Sequence, residues 1–184
     1  MLAPDLIHVF SYTTGVSLEL PLGFTALTDD GAGQSYVLVG DEPDGRAPEI
    51  AAFVDIRTLA TEGIGYDEVA GRRAATAVVD GLAAHAGVEL ARDWCEIDFE
   101  QVLRAELRCP NGLPGVPGPS GAMSTAGAVA DFLTGDLLVV VAALAFDERL
   151  VSITATAPWP AHAAWRDVFD VALRSARFLP GGGA

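Results

Sequence analysis

The stretch that decides the fold is residues 137–146, which read LLVVVAALAF. An unbroken apolar run of this length is too short to span a bilayer and too rich in β-formers for a surface helix. It is typical of a strand that is buried on both faces. We therefore expect residues 137–146 to form a central strand, with the rest of the sheet on either side.

The residues that follow predict a hairpin and then a helix. After a turn at residues 147–149, apolar and hydroxyl residues alternate, which is the period of a strand. The apolar set is Val151, Ile153, Ala155 and Ala157, and the hydroxyl set is Ser152, Thr154 and Thr156. Pro160 suits the first position of a helix whose inward face has helical spacing: Trp165, Val168, Phe169, Ala172, Leu173 and Ala176. We expect this helix to lie across the hairpin.

Further elements follow from the same periodicities. Short strands are predicted at residues 9–12, 16–20, 36–39, 50–56, 94–99, 102–109 and 126–133. A helix is predicted at residues 66–86, with His85 as a capping or surface residue near its end. Its predicted inward face is Val69, Ala70, Ala74, Ala77, Val78 and Leu82. Because tight turns join most strands, the predicted class is α+β: one twisted, mainly antiparallel sheet of about six to eight strands, flanked by two main helices.

Composition predicts one acidic domain. The chain has 184 residues, 51% of them hydrophobic, so we expect a single domain at residues 1–179 and a disordered Pro/Gly-rich tail at 180–184. The net charge of −14 would repel phosphates, which argues against nucleic acid or an anionic membrane as a partner. All 11 basic residues are Arg, which indicates a GC-rich genome. The Pro/Gly-rich residues 110–121 predict a long surface loop, either functional or a spacer.

The N-terminal residues lack the charged and apolar regions of a secretory signal, so a cytoplasmic location is expected. Cys95 and Cys109 both fall on the apolar phase of their predicted strands. This favours two reduced core thiols, while a disulfide across a hairpin stays open as an alternative.

Motifs of the common catalytic sites are missing from the chain. There is no Gly-x-Ser-x-Gly motif, residues 31–33 lack the third glycine of a dinucleotide-binding loop, and there is no Lys for a phosphate-binding loop. His8, His85 and His162 are far apart and have no paired-ligand spacing. We therefore predict no catalytic residues, no metal site and no cofactor.

Two weaker features define a candidate binding surface. The first is the row Ser152, Thr154 and Thr156, which would line a hydrogen-bonding pocket under a helix or simply cover a half-solvated face. The second is the pair Trp159 and His162 at the start of the final helix, which would either bind a partner or close the core.

The beginning and the end of the chain also carry a family resemblance. Residues 10–12 (FSY) and 16–24 (VSLELPLGF) are followed much later by residues 149–158 (RLVSITATAP), the Trp165/Phe169 helix and residues 175–178 (SARF). These resemble the opening strand and turn, and the closing strand and helix, of the PsbP-like fold family. That family includes a eukaryotic Ran-release factor, actinobacterial lipoproteins of the LpqN type and chaperones for secreted bacterial effectors.

The resemblance implies an α-β-α sandwich with a non-enzymatic binding role. Its lipoprotein members carry a lipid-bearing N-terminal Cys, whereas the first Cys here is Cys95, so no membrane anchor is expected in this chain. The leading hypothesis is a protein-binding module, such as an adaptor or a chaperone for a secreted bacterial protein. The alternative is a small-ligand-binding protein or an enzyme, with a pocket above the Ser152/Thr154/Thr156 face and a perturbed acid or base.

Overall fold

The computed structural model describes residues 5–27, 31–40, 49–59, 67–113, 129 and 131–179. Residues 41–46 (DEPDGR), which predict a solvated loop between two strands, lie outside these residues. The tail at 180–184 and most of the predicted loop at 110–121 lie outside them as well. The strands are β1 (Leu6–Ser11), β2 (Val16–Pro21), β3 (Thr25–Ala26), β4 (Gly33–Val39), β5 (Ile50–Leu59), β6 (Val88–Ile97), β7 (Glu100–Cys109), β8 (Leu137–Phe146), β9 (Arg149–Pro158) and β10 (Arg177–Phe178). The helices are α1 (Glu68–Ala83) and α2 (His162–Arg174), the second preceded by a 3-10 turn at Trp159–Ala161.

The main sheet is antiparallel and has the strand order β3-β4-β5-β9-β8-β7-β6. Strand β8 pairs with β7 on one side and with β9 on the other, and residues 137–144 are buried. The predicted α+β class and the predicted central strand are both confirmed.

The two helices cover opposite faces of this sheet. On one face, Ala75 and Val79 of α1 pack with the inward side chains of β7 and β8. On the other face, Phe169, Ala172 and Leu173 of α2 lie in a second core cluster. Strands β1, β2 and β10 form a small separate sheet. The inward side chains of this sheet belong to the second core cluster. The result is an α-β-α sandwich.

The inward face of α1 agrees with the predicted one in part, because Ala74, Val78 and Leu82 pack against the core as predicted. The buried residues are Gly71, Ala75 and Val79, whereas Val69 is 67% exposed and Ala77 is also exposed. The physical reason is Gly71, whose missing side chain lets the helix approach Ala145 on β8 closely. The expected role of His85 is confirmed, since its Nδ1 lies 2.8 Å from the carbonyl oxygen of Gly81.

The predicted strand at residues 126–133 is wrong where the structure describes it. Val129, Asp131 and Phe132 are helical, and the amide of Leu133 donates to the carbonyl of Val129. Val129 and Leu133 are both buried. Their separation of four residues places them on the same face of a helical turn.

The two cysteines do not pair. Cys95 lies opposite Val102 in the β6–β7 ladder, and Cys109 lies seven positions further along β7. An odd separation along a strand places Val102 and Cys109 on opposite faces of the sheet. Both thiols are free, so the disulfide alternative is excluded. Burial raises the pKa of Cys95, and burial with the nearby charge of Asp136 raises the pKa of Cys109 to about 11.

Candidate functional site at the hairpin tips

A cleft of about 510 Å³ opens at one end of the sandwich, on the α1 side of the sheet. It lies between the first turns of α1, the tip of the β6–β7 hairpin and the tip of the β8–β9 hairpin. The apolar residues of its lining are Gly71, Ala75, Trp94, Phe99, Ala145 and Phe146. The carboxylates of its lining are Asp67, Glu68, Glu100, Asp147 and Glu148. The cleft therefore combines an apolar surface with a strongly acidic rim.

The start of α1 forms one wall of the cleft. Asp67 is its N-cap, and its Oδ1 accepts hydrogen bonds from the amides of Val69 (2.9 Å) and Ala70 (3.3 Å). This arrangement satisfies two of the amides that a helix leaves free at its first turn. The contact of Gly71 with Ala145 places this turn above the end of β8.

Both hairpin tips are two-residue turns with left-handed backbone conformations. The φ angles are 52° at Asp98, 68° at Phe99, 48° at Asp147 and 60° at Glu148. Turns of this kind match the twist of the strands, but they favour Asn and Gly because a Cβ is crowded at positive φ. Neither turn here contains Asn or Gly.

The side chain of Asp98 connects its turn to β10. Its Oδ2 accepts a hydrogen bond of 2.9 Å from the amide of Phe178 in β10, and its Oδ1 lies 3.7 Å from Nε of Arg177. The tip of the β6–β7 hairpin is thus tied to the small sheet. The turn that presents Phe99 is thereby held to β10.

Phe99 has no comparable contact within the part of the chain that the structure describes. Its side chain is 91% exposed, the largest exposed fraction among the exposed large hydrophobic residues described. The neighbouring Trp94 is 36% exposed, and the guanidinium carbon of Arg72 lies 5.1 Å from the centre of its ring. Two aromatic side chains therefore border the same cleft, and Phe99 is the one left open to solvent.

The charge of the cleft is strongly one-sided. Arg72 is the single basic residue in the described lining, and its Nη2 lies 3.1 Å from a carboxylate oxygen of Glu68. Burial, with a smaller effect from Asp98, raises the pKa of Glu100. The described lining contains no Ser, Thr, Cys or His that Glu100 could serve as a base. The excess of carboxylates in the described lining favours cationic groups over anionic ones.

The hydroxyl row predicted from the sequence lies elsewhere. Ser152 and Thr156 are buried, Thr154 is half-buried, and the hydroxyl of Thr156 donates to the carbonyl of Phe53 at 3.1 Å. In the sheet, Thr154 lies beside Asp55, which accepts a 2.6 Å hydrogen bond from the hydroxyl of Ser35. The row thus belongs to a largely buried polar band on the α1 face.

The predicted pair Trp159 and His162 lies on the other face, next to α2. The two rings stack with centroids 4.1 Å apart, and Trp159 packs against the core. Arg108 sits 4.5 Å from the Trp159 ring centre and binds Asp136 through two hydrogen bonds, which lowers the pKa of Asp136. The structure therefore does not bring the hydroxyl row and the aromatic pair together into one surface.

Among the described residues, no group of three His, Cys, Asp or Glu side chains is arranged to hold a metal ion. The described helices include none that combines the length and apolar character needed to cross a membrane.

The fold is that of an α+β sandwich of the Mog1/PsbP-like type. Its structure is similar to that of the Ran-binding protein Mog1p of Saccharomyces cerevisiae, with a TM-score of 0.54 and 11% identity over 97% of each chain. It is also similar to a Bacteroides thetaiotaomicron protein, with a TM-score of 0.50 and 8% identity over 91% of this chain and 46% of the other. The PsbP protein CyanoP of Synechocystis sp. PCC 6803 gives a TM-score of 0.45 at 11% identity, over 96% of this chain and 94% of CyanoP.

No protein-family model and no curated protein matches the sequence. At the identities of the structural matches, the similarity defines the fold alone. The predicted fold family is confirmed at that level.

Proposed function

We propose that this protein is a non-enzymatic protein-binding module that holds a basic segment of its partner at the cleft, with Phe99 as the anchor. The observation that carries the proposal is the exposure of Phe99 in a left-handed turn. That position costs free energy twice, once in the backbone and once in the hydration of the ring. A partner that covers the ring removes the second cost, and buried aromatic residues dominate the energetics of many interfaces.

The charge of the cleft defines the partner. Five carboxylates and one arginine line it, on a chain of net charge −14. Such a surface attracts Lys and Arg side chains and repels acidic ones. The aliphatic stems of Lys and Arg also suit the apolar part of the cleft.

The fold supports the same class of function. Mog1p is a Ran-binding protein, so this fold can serve protein recognition. An adaptor or a chaperone for a secreted bacterial protein is the role we propose within that class. The alternative of a small-ligand pocket above the hydroxyl row gains no support, because Ser152 and Thr156 are buried and the Thr156 hydroxyl is already bonded to the backbone.

The test begins with a photo-reactive phenylalanine analogue at position 99 of the full chain. The protein that it cross-links in a lysate of the source organism is identified, purified and titrated against the unmodified chain. We expect Phe99→Ala to weaken binding by about thirtyfold or more, as for an interface hot spot. Binding is also expected to weaken as salt is added.

The matched control is Tyr12→Ala. Tyr12 is also an exposed aromatic residue, 80% exposed, but it packs edge-on against Phe10 in the small sheet. We expect this change to alter the affinity by less than about twofold, as for a residue outside the interface. Equal affinities of the Phe99→Ala and Tyr12→Ala variants would refute the proposal.

A further inference from the structure

Among the described strands, β6 forms one edge of the main sheet, beside the cleft. It pairs with β7 and is the last strand in the sheet order. Eight of its ten residues are exposed. Long exposed edge strands present unpaired backbone groups to any chain that can pair with them.

The hairpin register shows which backbone groups face outward. Ile97 and Glu100 close a two-residue turn, and the closing pair of such a turn is hydrogen-bonded within the hairpin. Because the ladder alternates, Asp93 and Cys95 also direct their amides and carbonyls towards β7. Arg92, Trp94 and Glu96 therefore direct theirs towards the open edge. The side chains of this outward-facing set project from the α1 face, where Trp94 lines the cleft.

The usable part of the edge has definite ends. A register shift between Glu89 and Ala91 interrupts the ladder at one end, and the tip with Phe99 closes the other. Bulges of this kind twist an edge and stop further pairing. Seven regular residues, 91–97, remain between them, a length of about 20 Å at the rise of a β-strand.

The charges along the edge select the occupant. Glu89, Asp93 and Glu96 are acidic, and the one basic residue of β6, Arg92, is held by Glu89 at 2.7 Å and Asp80 at 2.6 Å. A second copy of the chain would bring the same excess of negative charge, whereas a basic strand would be complementary.

Building on the proposed function, we propose that the partner's basic segment binds in an extended conformation, as an added strand along residues 91–97 of β6. Its backbone pairs with Arg92, Trp94 and Glu96. Alternate side chains then project beside Trp94, in line with the cleft and Phe99. Main-chain pairing supplies affinity in this mode of recognition, and the alternate side chains supply specificity.

The probe is a nine-residue peptide of alternating Lys and Val, titrated against the full chain and followed by Trp fluorescence. If the peptide shifts by one residue along β6, the Lys side chains and the Val side chains exchange faces of the sheet. One peptide therefore tests both arrangements. The control peptide replaces Lys with Glu. Hydrogen exchange of the amides is measured in the free and the bound protein.

We expect the Lys/Val peptide to bind, the Glu/Val peptide to bind at least about tenfold more weakly, and the amides of Arg92, Trp94 and Glu96 to become protected on binding. Glu96→Pro is expected to weaken peptide binding by about tenfold or more relative to Glu96→Ala, because it removes an outward amide and places its ring at the edge. An edge position tolerates proline where the amide faces solvent, so the fold should survive.

Binding without protection of the three amides, or with equal affinities for the Glu96→Pro and Glu96→Ala variants, would overturn strand addition and leave the proposed function intact. Absence of peptide binding would also overturn strand addition, while the Phe99 cross-linking experiment would still decide the proposed function. The same amides could also become protected in the free protein, to a degree that increases with protein concentration. That result would mean that a second copy of the chain pairs with the edge, and it would likewise overturn the inference.

Discussion

A Cβ placed on Gly71 would stand 2.7 Å from the Cβ of Ala145. Two such carbon atoms do not approach so closely in a folded protein, so the backbone of α1 lies directly on β8 at this point. The contact positions the first turns of the helix, and with them one wall of the cleft. Gly71 therefore determines which face of α1 packs on the sheet and where one wall of the cleft lies.

Gly71→Ala is expected to destabilise the protein, although Ala favours helix over Gly. Overpacking of a closed contact costs about 1 to 3 kcal/mol. Replacing Gly with Ala in a helix gains only about 1 kcal/mol, so a cost in the upper part of that range gives a net loss of stability. The matched control is Gly81→Ala in the same helix, where a Cβ would meet no atom of the described residues within 4 Å. Urea unfolding should show Gly81→Ala to be the more stable variant by about 1 kcal/mol or more. The reverse order would contradict the close contact.

Phe99→Gly is expected to raise the free energy of unfolding by about 1 kcal/mol, because glycine accepts a positive φ without the crowding of a Cβ. The lost side chain is 91% exposed, so little packing is removed with it. Phe99→Ala keeps the Cβ and should leave stability nearly unchanged. Thermal or urea unfolding of the two variants tests this difference, and a less stable glycine variant would show that the ring contributes to folding.

The sequence was sufficient for elements whose hydrophobic signal is dense. The run at residues 137–146 is apolar throughout, and Phe169, Ala172 and Leu173 of α2 are buried at the predicted helical spacing. For α1 the signal is spread around the helix by many alanines. The residue that decides its orientation is Gly71, and a glycine contributes nothing to a hydrophobic pattern.

The candidate site could not be predicted from the sequence, for a related reason. Residues 94–99 were predicted to form one strand ending at Phe99, whereas β6 ends at Ile97 and Phe99 lies in a tight turn without the expected Asn or Gly. The small sheet could not be predicted either, because β10 has only two residues and pairs with β2, which lies near the other end of the sequence. Contacts of such long sequence separation leave no local pattern.

Glu106→Ala is expected to lower the free energy of unfolding by about 3 kcal/mol, because Arg104, whose side chain is only 17% exposed, loses its 2.7 Å partner and keeps a longer contact of 3.4 Å with Asp170. Glu106 is 5% exposed and lies 2.7 Å from both Arg104 on β7 and Arg166 on α2. The control is Glu68→Ala, which breaks an exposed pair with Arg72 outside this network and should cost less than about 1 kcal/mol. Similar losses for the two variants, measured by urea unfolding, would show that the buried network does not hold α2 to the sheet.

Stability is expected to fall between pH 9 and pH 11 through Cys109. The thiol is fully buried, and burial with the nearby Asp136 raises its pKa from 9.0 to about 11 in the folded protein. Below pH 9 the thiol is protonated in both states, so its contribution to stability is fully present. As the pH rises past 9, the unfolded chain loses this proton while the folded chain keeps it, which favours unfolding by up to about 2 kcal/mol near pH 11.

The measurement is urea unfolding at a series of pH values from 8 to 11, on the unmodified chain and on Cys109→Ala. Removal of the buried thiol costs stability at every pH, so the comparison is made between slopes. Cys109→Ala should have the shallower decline, because it no longer has a proton to lose on unfolding at that position. Cys95→Ala serves as the control at a half-buried position and should keep most of the decline. Parallel curves for the unmodified chain and Cys109→Ala would mean that Cys109 ionises as readily in the folded state as in the unfolded state, which its burial on the α1 face argues against.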